Sequence, residues 1–90
     1  MINNKTFGMA HLYILYSSLK NKFYVGSTSD ELTERLRRHN SNHSGYTGNV
    51  NDWEIVYTES FMDYSEALKR EKEIKKMKSR LYIENLTRKA

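Results

Sequence analysis

β-branched and aromatic residues cluster over positions 11–16 and again over 22–27, on either side of the stretch Ser17-Ser18-Leu19-Lys20-Asn21. Two such runs around a polar turn predict a β-hairpin, because these side chains suit a pleated, half-buried surface. With the loop centred between Ser18 and Leu19, Tyr13 is expected opposite Tyr24, Leu12 opposite Val25 and Ile14 opposite Phe23. The two tyrosines then share one face. Leu12, Ile14, Tyr16, Phe23 and Val25 take the other, the face expected to meet the core.

Ser29 or Asp30 suits the cap of a helix running to about Ser41, whose apolar stripe is narrow: Leu32 and Leu36. Positions 42–52, rich in Asn and Gly, read as a loop. Over 53–61, Trp53, Ile55, Tyr57 and Glu59 alternate with Glu54, Val56 and Thr58, which predicts a third strand. Asp63 with Glu66 three residues on forms a capping box, opening a helix with Ala67, Leu68, Ile74 and Met77 or Lys78 on its apolar face. A last helical turn, 80–86, brings Leu81, Tyr82, Ile83 and Leu86. The order is ββαβαα, an α+β arrangement of a small mixed sheet with helices packed on it.

Ninety residues support one domain with a thin core, and no repeat or Pro/Gly/Ser-rich linker divides them. We take residues 1–10 as a polar lead-in, 11–86 as the domain and 87–90 as a short basic tail. The chain has no cysteine, so disulfides, thiolate metal sites and cysteine nucleophiles are excluded, and a reducing, cytoplasmic setting is expected. The longest apolar run, Leu12-Tyr13-Ile14-Leu15-Tyr16, is far short of a membrane span, and no export signal is visible. Charge is uneven. Positions 64–90 hold nine basic residues against Glu66, Glu71, Glu73 and Glu84, whereas 1–63 hold six basic and seven acidic. That excess suits either a solvated helix face or a phosphate-binding surface.

Glu71 stands four residues after Ala67 and three before Ile74, so its carboxylate points with the apolar stripe. Burying an unpaired carboxylate costs several kcal/mol, roughly, so a cation should accompany it, either a protein side chain or a metal. The plainer arrangement is an i,i+4 pair with Lys75. Arg35 and His39, also four apart, flank Leu32 and Leu36 and can both lean over the sheet. An arginine there suits a phosphate and a histidine suits proton transfer near neutral pH. Arg37 and Arg38 read as solvated. His39 and His43 have a metal-ligand spacing, but only His11 remains as a third imidazole, and a structural zinc site is not expected. Ser17, Ser18, Ser27 and Thr28 lack a nucleophile motif, and Gly45 and Gly48 lack a P-loop pattern.

Taken in order, "LYI" (Leu12, Tyr13, Ile14), "YVG" (Tyr24, Val25, Gly26), Arg35, His39 and "EALKREKEIK" around Glu71 resemble the GIY-YIG nuclease family across nearly the whole chain. "YVGSTSDELTERLRRHN" and "KREKEIKKMKSR" are the most specific segments, and the chain looks most like small single-domain bacterial members similar to the nuclease part of the excision-repair machinery. Leu12 stands where the first motif usually has Gly or Val, and Val25 where the second has Ile. The resemblance implies a three-stranded antiparallel sheet flanked by helices and a DNA endonuclease using one divalent ion, Mg²⁺ or Mn²⁺, in a setting such as DNA repair. It implies that Glu71 holds the ion, Tyr24 or Tyr13 is the general base or positions water, Arg35 stabilises the phosphate and His39 transfers a proton. Lys75 would meet the phosphate backbone, with Lys76, Lys78 and Arg80 extending that surface. Asn85 aligns loosely with a late asparagine of some members.

Members of the resembled family with known targets usually carry a separate DNA-reading module, so little sequence preference is expected here unless a protein partner supplies it. A monomer or weak dimer is expected, away from membranes. Two other functions compete: a nucleic-acid-binding module that keeps the fold without cutting, and an adaptor whose basic helix meets an acidic protein.

Overall fold

A computed structural model describes residues 9–41 and 45–88. The elements run β1 (Ala10–Ser17), β2 (Lys22–Thr28), α1 (Leu32–His39), β3 (Glu54–Phe61), α2 (Tyr64–Met77) and α3 (Arg80–Arg88). β1 is central in an antiparallel sheet of order β2-β1-β3. The expected ββαβαα order and fold class are those observed. Most of the proposed lead-in, and His43, lie outside the described residues. The first strand opens one residue earlier than expected, at the buried Ala10, and α3 runs on to Arg88.

The hairpin register differs from the sequence reading by two residues. Tyr13 pairs with Gly26, Ile14 with Val25, Leu15 with Tyr24 and Tyr16 with Phe23. The turn occupies residues 18–21, ending on Asn21 at φ 54°, so the loop is centred between Leu19 and Lys20. Asp52, from just before β3, fixes it: its carboxylate accepts from Ser17 Oγ at 2.6 Å and from Leu19 N–H at 2.9 Å. A shift of two preserves side-chain parity, so every face assignment in the hairpin survives.

Both faces of the sheet are covered, not one. Beneath α2 and α3, Leu12, Ile14, Val25 and Ile74 form a core with Phe23, Tyr57, Phe61, Tyr82, Ile83 and Leu86 around it. On the opposite face Tyr13, Leu15 and Trp53 form a second, packed by Tyr24, Leu32, Leu36 and Ile55. A strand between two neighbours and two layers of cover must be apolar on both sides, which is why Leu12 to Leu15 run without alternation. In β3 a bulge breaks the expected alternation. Ile14 opposes Tyr57 while Leu15 opposes Ile55, so Val56 is the extra residue and Ile55 and Tyr57 face opposite cores.

Helix ends show further corrections. α1 starts one residue later than capping by Asp30 requires: Glu31 is its N-cap without a side-chain bond, because Thr28 Oγ1 accepts the Asp30 N–H at 2.9 Å and holds the chain in a turn. It ends at His39 rather than near Ser41, where Asn40 Nδ2 donates to Trp53 O at 3.1 Å and Asn40 Oδ1 accepts Trp53 N–H at 2.9 Å. The Asp63 cap is as expected, accepting from Glu66 N–H at 3.1 Å. Lys78, in the left-handed region at φ 49°, ends α2, so neither it nor the exposed Met77 joins the apolar face. Leu81 is exposed too. Tyr82, Ile83 and Leu86 carry the packing of α3. Among the described residues no helix is long and apolar enough to cross a membrane.

Candidate active site

β1 and β2 present Tyr13 and Tyr24 on the α1 face, though not opposite one another as the expected register had them. They meet diagonally, ring centroids 6.2 Å apart and tilted by 42°. Gly26, opposite Tyr13, makes this possible. A Cβ there would lie 2.6 Å from Tyr13 Cζ and Oη and 2.9 Å from Tyr24 Cε2, so only glycine leaves room for the two rings.

The last turn of α1 lowers His39 onto this pair. The imidazole is 8% exposed, with Nε2 at 2.9 Å from the Tyr13 hydroxyl and Nδ1 at 3.0 Å from Thr47 Oγ1. Its ring centroid lies 4.7 Å from that of Tyr24. Tyr13 is 1% exposed, and burial pushes its hydroxyl up to about 12, with the Arg35 guanidinium working against that rise and the Tyr24 and Glu71 charges adding to it. The phenol therefore keeps its proton at neutral pH. Donor and acceptor roles in these two bonds follow the imidazole tautomer: with Nε2 accepting the phenol O–H, Nδ1 carries the proton and donates to Thr47 Oγ1.

Arg35, one turn earlier, completes the cluster. Its interaction with the Tyr13 hydroxyl, partly offset by burial, holds the guanidinium above its ordinary value, so it is cationic throughout. Its Nε is buried and has no hydrogen-bond partner among the described residues. An unpaired buried donor costs about 1–3 kcal/mol, and a ligand oxygen is the natural remedy. Arg37 and Arg38 instead face solvent, paired with Glu34.

Glu71 approaches from the other layer, round the free edge of β2. Its side chain is 15% exposed, and Oε1 accepts from Ser27 Oγ at 2.5 Å. Oε2 accepts from Lys75 Nζ at 2.5 Å, so the i,i+4 pair is present, and the same ammonium lies 5.9 Å from the centroid of the Tyr24 ring. Lys75 thus bridges the carboxylate and the tyrosine across the strand edge. Glu71 itself touches Ser27, not the phenols.

The donor set suits a hard cation. It offers one carboxylate at the rim with a hydroxyl beside it, and the described residues hold no cluster of three or more His, Asp or Glu. A single carboxylate leaves most coordination positions to water, as Mg²⁺ prefers. Lys75 would have to release Oε2, which its half-exposed side chain permits.

Lys75 and Lys76 lie in the last turn of α2, Lys78 at its C-cap and Arg80 at the start of α3. Arg80 is engaged already, donating to Glu84 at 2.9 Å and to Asn21 O and Oδ1 at 2.8 Å. Ser27, Thr47, Gly26 and Tyr46 escaped the sequence reading as site residues. Gly26, within the YVG motif, and Ser27, within the segment YVGSTSDELTERLRRHN, had a signal. Thr47 and Tyr46 come from a loop without period, and the role of Ser27 depends on how α2 docks.

The chain matches the family model of the GIY-YIG catalytic domain over residues 9–85, and it belongs to that family. It is therefore a nuclease domain by descent, with nucleic acid as its partner class and divalent ions as the family's general cofactor. The match is to the catalytic domain in general and does not single out the excision-repair branch. No curated protein and no solved structure matches the chain.

Proposed function

We propose that the protein is a DNA endonuclease that hydrolyses phosphodiester bonds with one divalent ion, Mg²⁺ or Mn²⁺, held by Glu71. The observation that carries this reading is the orphan Arg35 Nε, buried beside the Tyr13, His39 and Thr47 chain. A phosphate would meet the half-buried guanidinium through its terminal nitrogens.

Each residue then has a part. Arg35 binds the scissile phosphate and stabilises the charge that builds on it. Tyr24, the more accessible phenol, orients the attacking water. Tyr13 is buried behind it and acts as a relay: the proton released by the attacking water passes to the Tyr13 oxygen as the phenol's own proton moves to His39 Nε2. The imidazolium so formed keeps its Nδ1–H on Thr47. An ion at Glu71, when bound, supplies Lewis-acid charge to the phosphate and the leaving oxygen. Ser27 holds the carboxylate in place, and Lys75, Lys76, Lys78 and Arg80 line the approach for the backbone. A cytoplasmic setting and a role in DNA repair fit this activity.

Plasmid and branched DNA incubated with Mg²⁺ or Mn²⁺ test the reading. Nicking that needs the ion and disappears in Glu71→Ala supports it. Equal binding by both proteins, with no cutting of any substrate, points to the alternative of a binding module that does not cut, for which the Lys75 ammonium already on Oε2 is the favouring observation.

A further inference from the structure

A groove of about 390 Å³ runs along the free edge of β2, between that strand and the junction of α2 with α3. Its floor is apolar: Phe23, Val25, Ile74 and Ile83. Its rim is cationic, from Lys22, Lys75, Lys78 and Arg80. Tyr46 forms one wall, and a smaller cavity lined by Tyr24, Tyr46 and Lys75 joins the groove to the candidate active site.

Tyr46 is held as a platform. Its hydroxyl donates to Phe23 O at 3.1 Å, and its ring packs at 6.0 Å from Tyr24 and 6.3 Å from Trp53, yet the residue is 51% exposed. Lys20 and Lys22 ammonium groups lie 5.9 and 5.7 Å from the ring centroid. The ion pairs among the described residues leave Lys22 and Lys78 without a carboxylate.

A duplex presents phosphates and sugars to a surface of this kind, and its bases stay stacked inside, so an apolar floor gains nothing from it. An unpaired strand presents both parts at once. Its phosphates follow the lysines and an unstacked base fills the floor against an aromatic face. We propose that this groove binds an unpaired nucleotide of the substrate next to the scissile phosphate, so that the protein acts on single-stranded or locally melted nucleic acid. The proposal rests on the nuclease reading for its purpose, but binding can be measured without cutting.

The test is fluorescence anisotropy of the full chain with EDTA present, using labelled DNA and RNA strands of one sequence and the matching DNA duplex. A single strand of either sugar should bind at least about tenfold tighter than duplex, and the two strands show which sugar the groove favours. Tyr46→Ala should weaken single-strand binding roughly 5- to 100-fold and change duplex binding by less than about twofold, while Tyr46→Phe, which keeps the stacking face, should stay near wild type. Should Tyr46→Ala fail to fold, Lys78→Gln at the exposed end of α2 should reduce the slope of log affinity against log salt by about 0.7 for the single strand. Equal affinity for duplex and single strand, or equal weakening of both by Tyr46→Ala, overturns the proposal. A chain that binds this way and cuts nothing with Mg²⁺ keeps the groove and loses the nuclease reading. One that cuts duplex as fast as single strand, with no effect of Tyr46, does the reverse.

Discussion

The Tyr13 hydroxyl lies 2.9 Å from His39 Nε2, and the bond joins the central strand to the last turn of α1 while both groups are sealed from solvent. The contact serves stability and, in the proposed reaction, the proton relay. It gives a buried imidazole one of its partners and couples the phenol's proton to the imidazole tautomer.

Tyr13→Phe removes the hydroxyl and leaves Nε2 buried without that partner. Urea unfolding should show a loss of about 1–3 kcal/mol, with the ring packing retained. Cleavage should fall with it. Unchanged stability contradicts the assignment of this bond.

Tyr13 also sets a pH limit. A phenol raised from about 10 in the unfolded chain to about 12 in the fold binds its proton more tightly when folded. Its contribution is fully present below about pH 10 and is lost as pH rises towards 12, at most about 2–3 kcal/mol. Tyrosinate absorbance should show Tyr13 ionising late, together with unfolding, and Tyr57, which burial and the Glu59 carboxylate also push up, late as well among the seven tyrosines. Simultaneous titration of all seven in a chain that stays folded contradicts it.

Gly26→Ala places a methyl group 2.6 Å from the Tyr13 ring atoms, so the rings or the hairpin must move. A loss of about 1–3 kcal/mol is expected, with displaced Tyr13 and Tyr24 ring signals in NMR spectra. An unperturbed spectrum contradicts the close approach of the two rings.

On the far side of the sheet, Arg70 donates to both Glu59 oxygens, at 2.9 and 3.1 Å, and the Tyr57 hydroxyl donates to Glu59 as well. Burial works against this carboxylate, yet those bonds hold it below its ordinary value. Glu59→Gln should cost about 1–2 kcal/mol in denaturant melts while DNA cleavage stays near wild type at temperatures where the variant is folded. Loss of cutting without loss of stability contradicts a purely structural role.

The elements were legible because local pattern and global fold agree: β-branched and aromatic runs for the hairpin, Asp63 with Glu66 for the start of α2, helical spacing for Glu71, Arg35 and His39. What escaped depends on residues far apart in the chain. The hairpin register follows from Asp52, some thirty positions beyond the turn it braces, and from Asn21 in a left-handed conformation. The bulge at Val56 turns Ile55 and Tyr57 to opposite cores without any local sign. Thr47 reaches His39 from a loop that has no period to read, and Ser27 becomes the partner of Glu71 only once α2 has docked on β2.

The most direct test of the central claim is the rate of plasmid nicking by Glu71→Gln in saturating Mg²⁺ or Mn²⁺, with DNA binding measured on the same preparation. Glutamine keeps the size and the Ser27 contact but removes the charge that would hold the ion. Nicking should fall by about 10²–10³-fold or more while DNA is bound as tightly as by wild type. Nicking at the wild-type rate would show that the ion, if one is used, is held elsewhere.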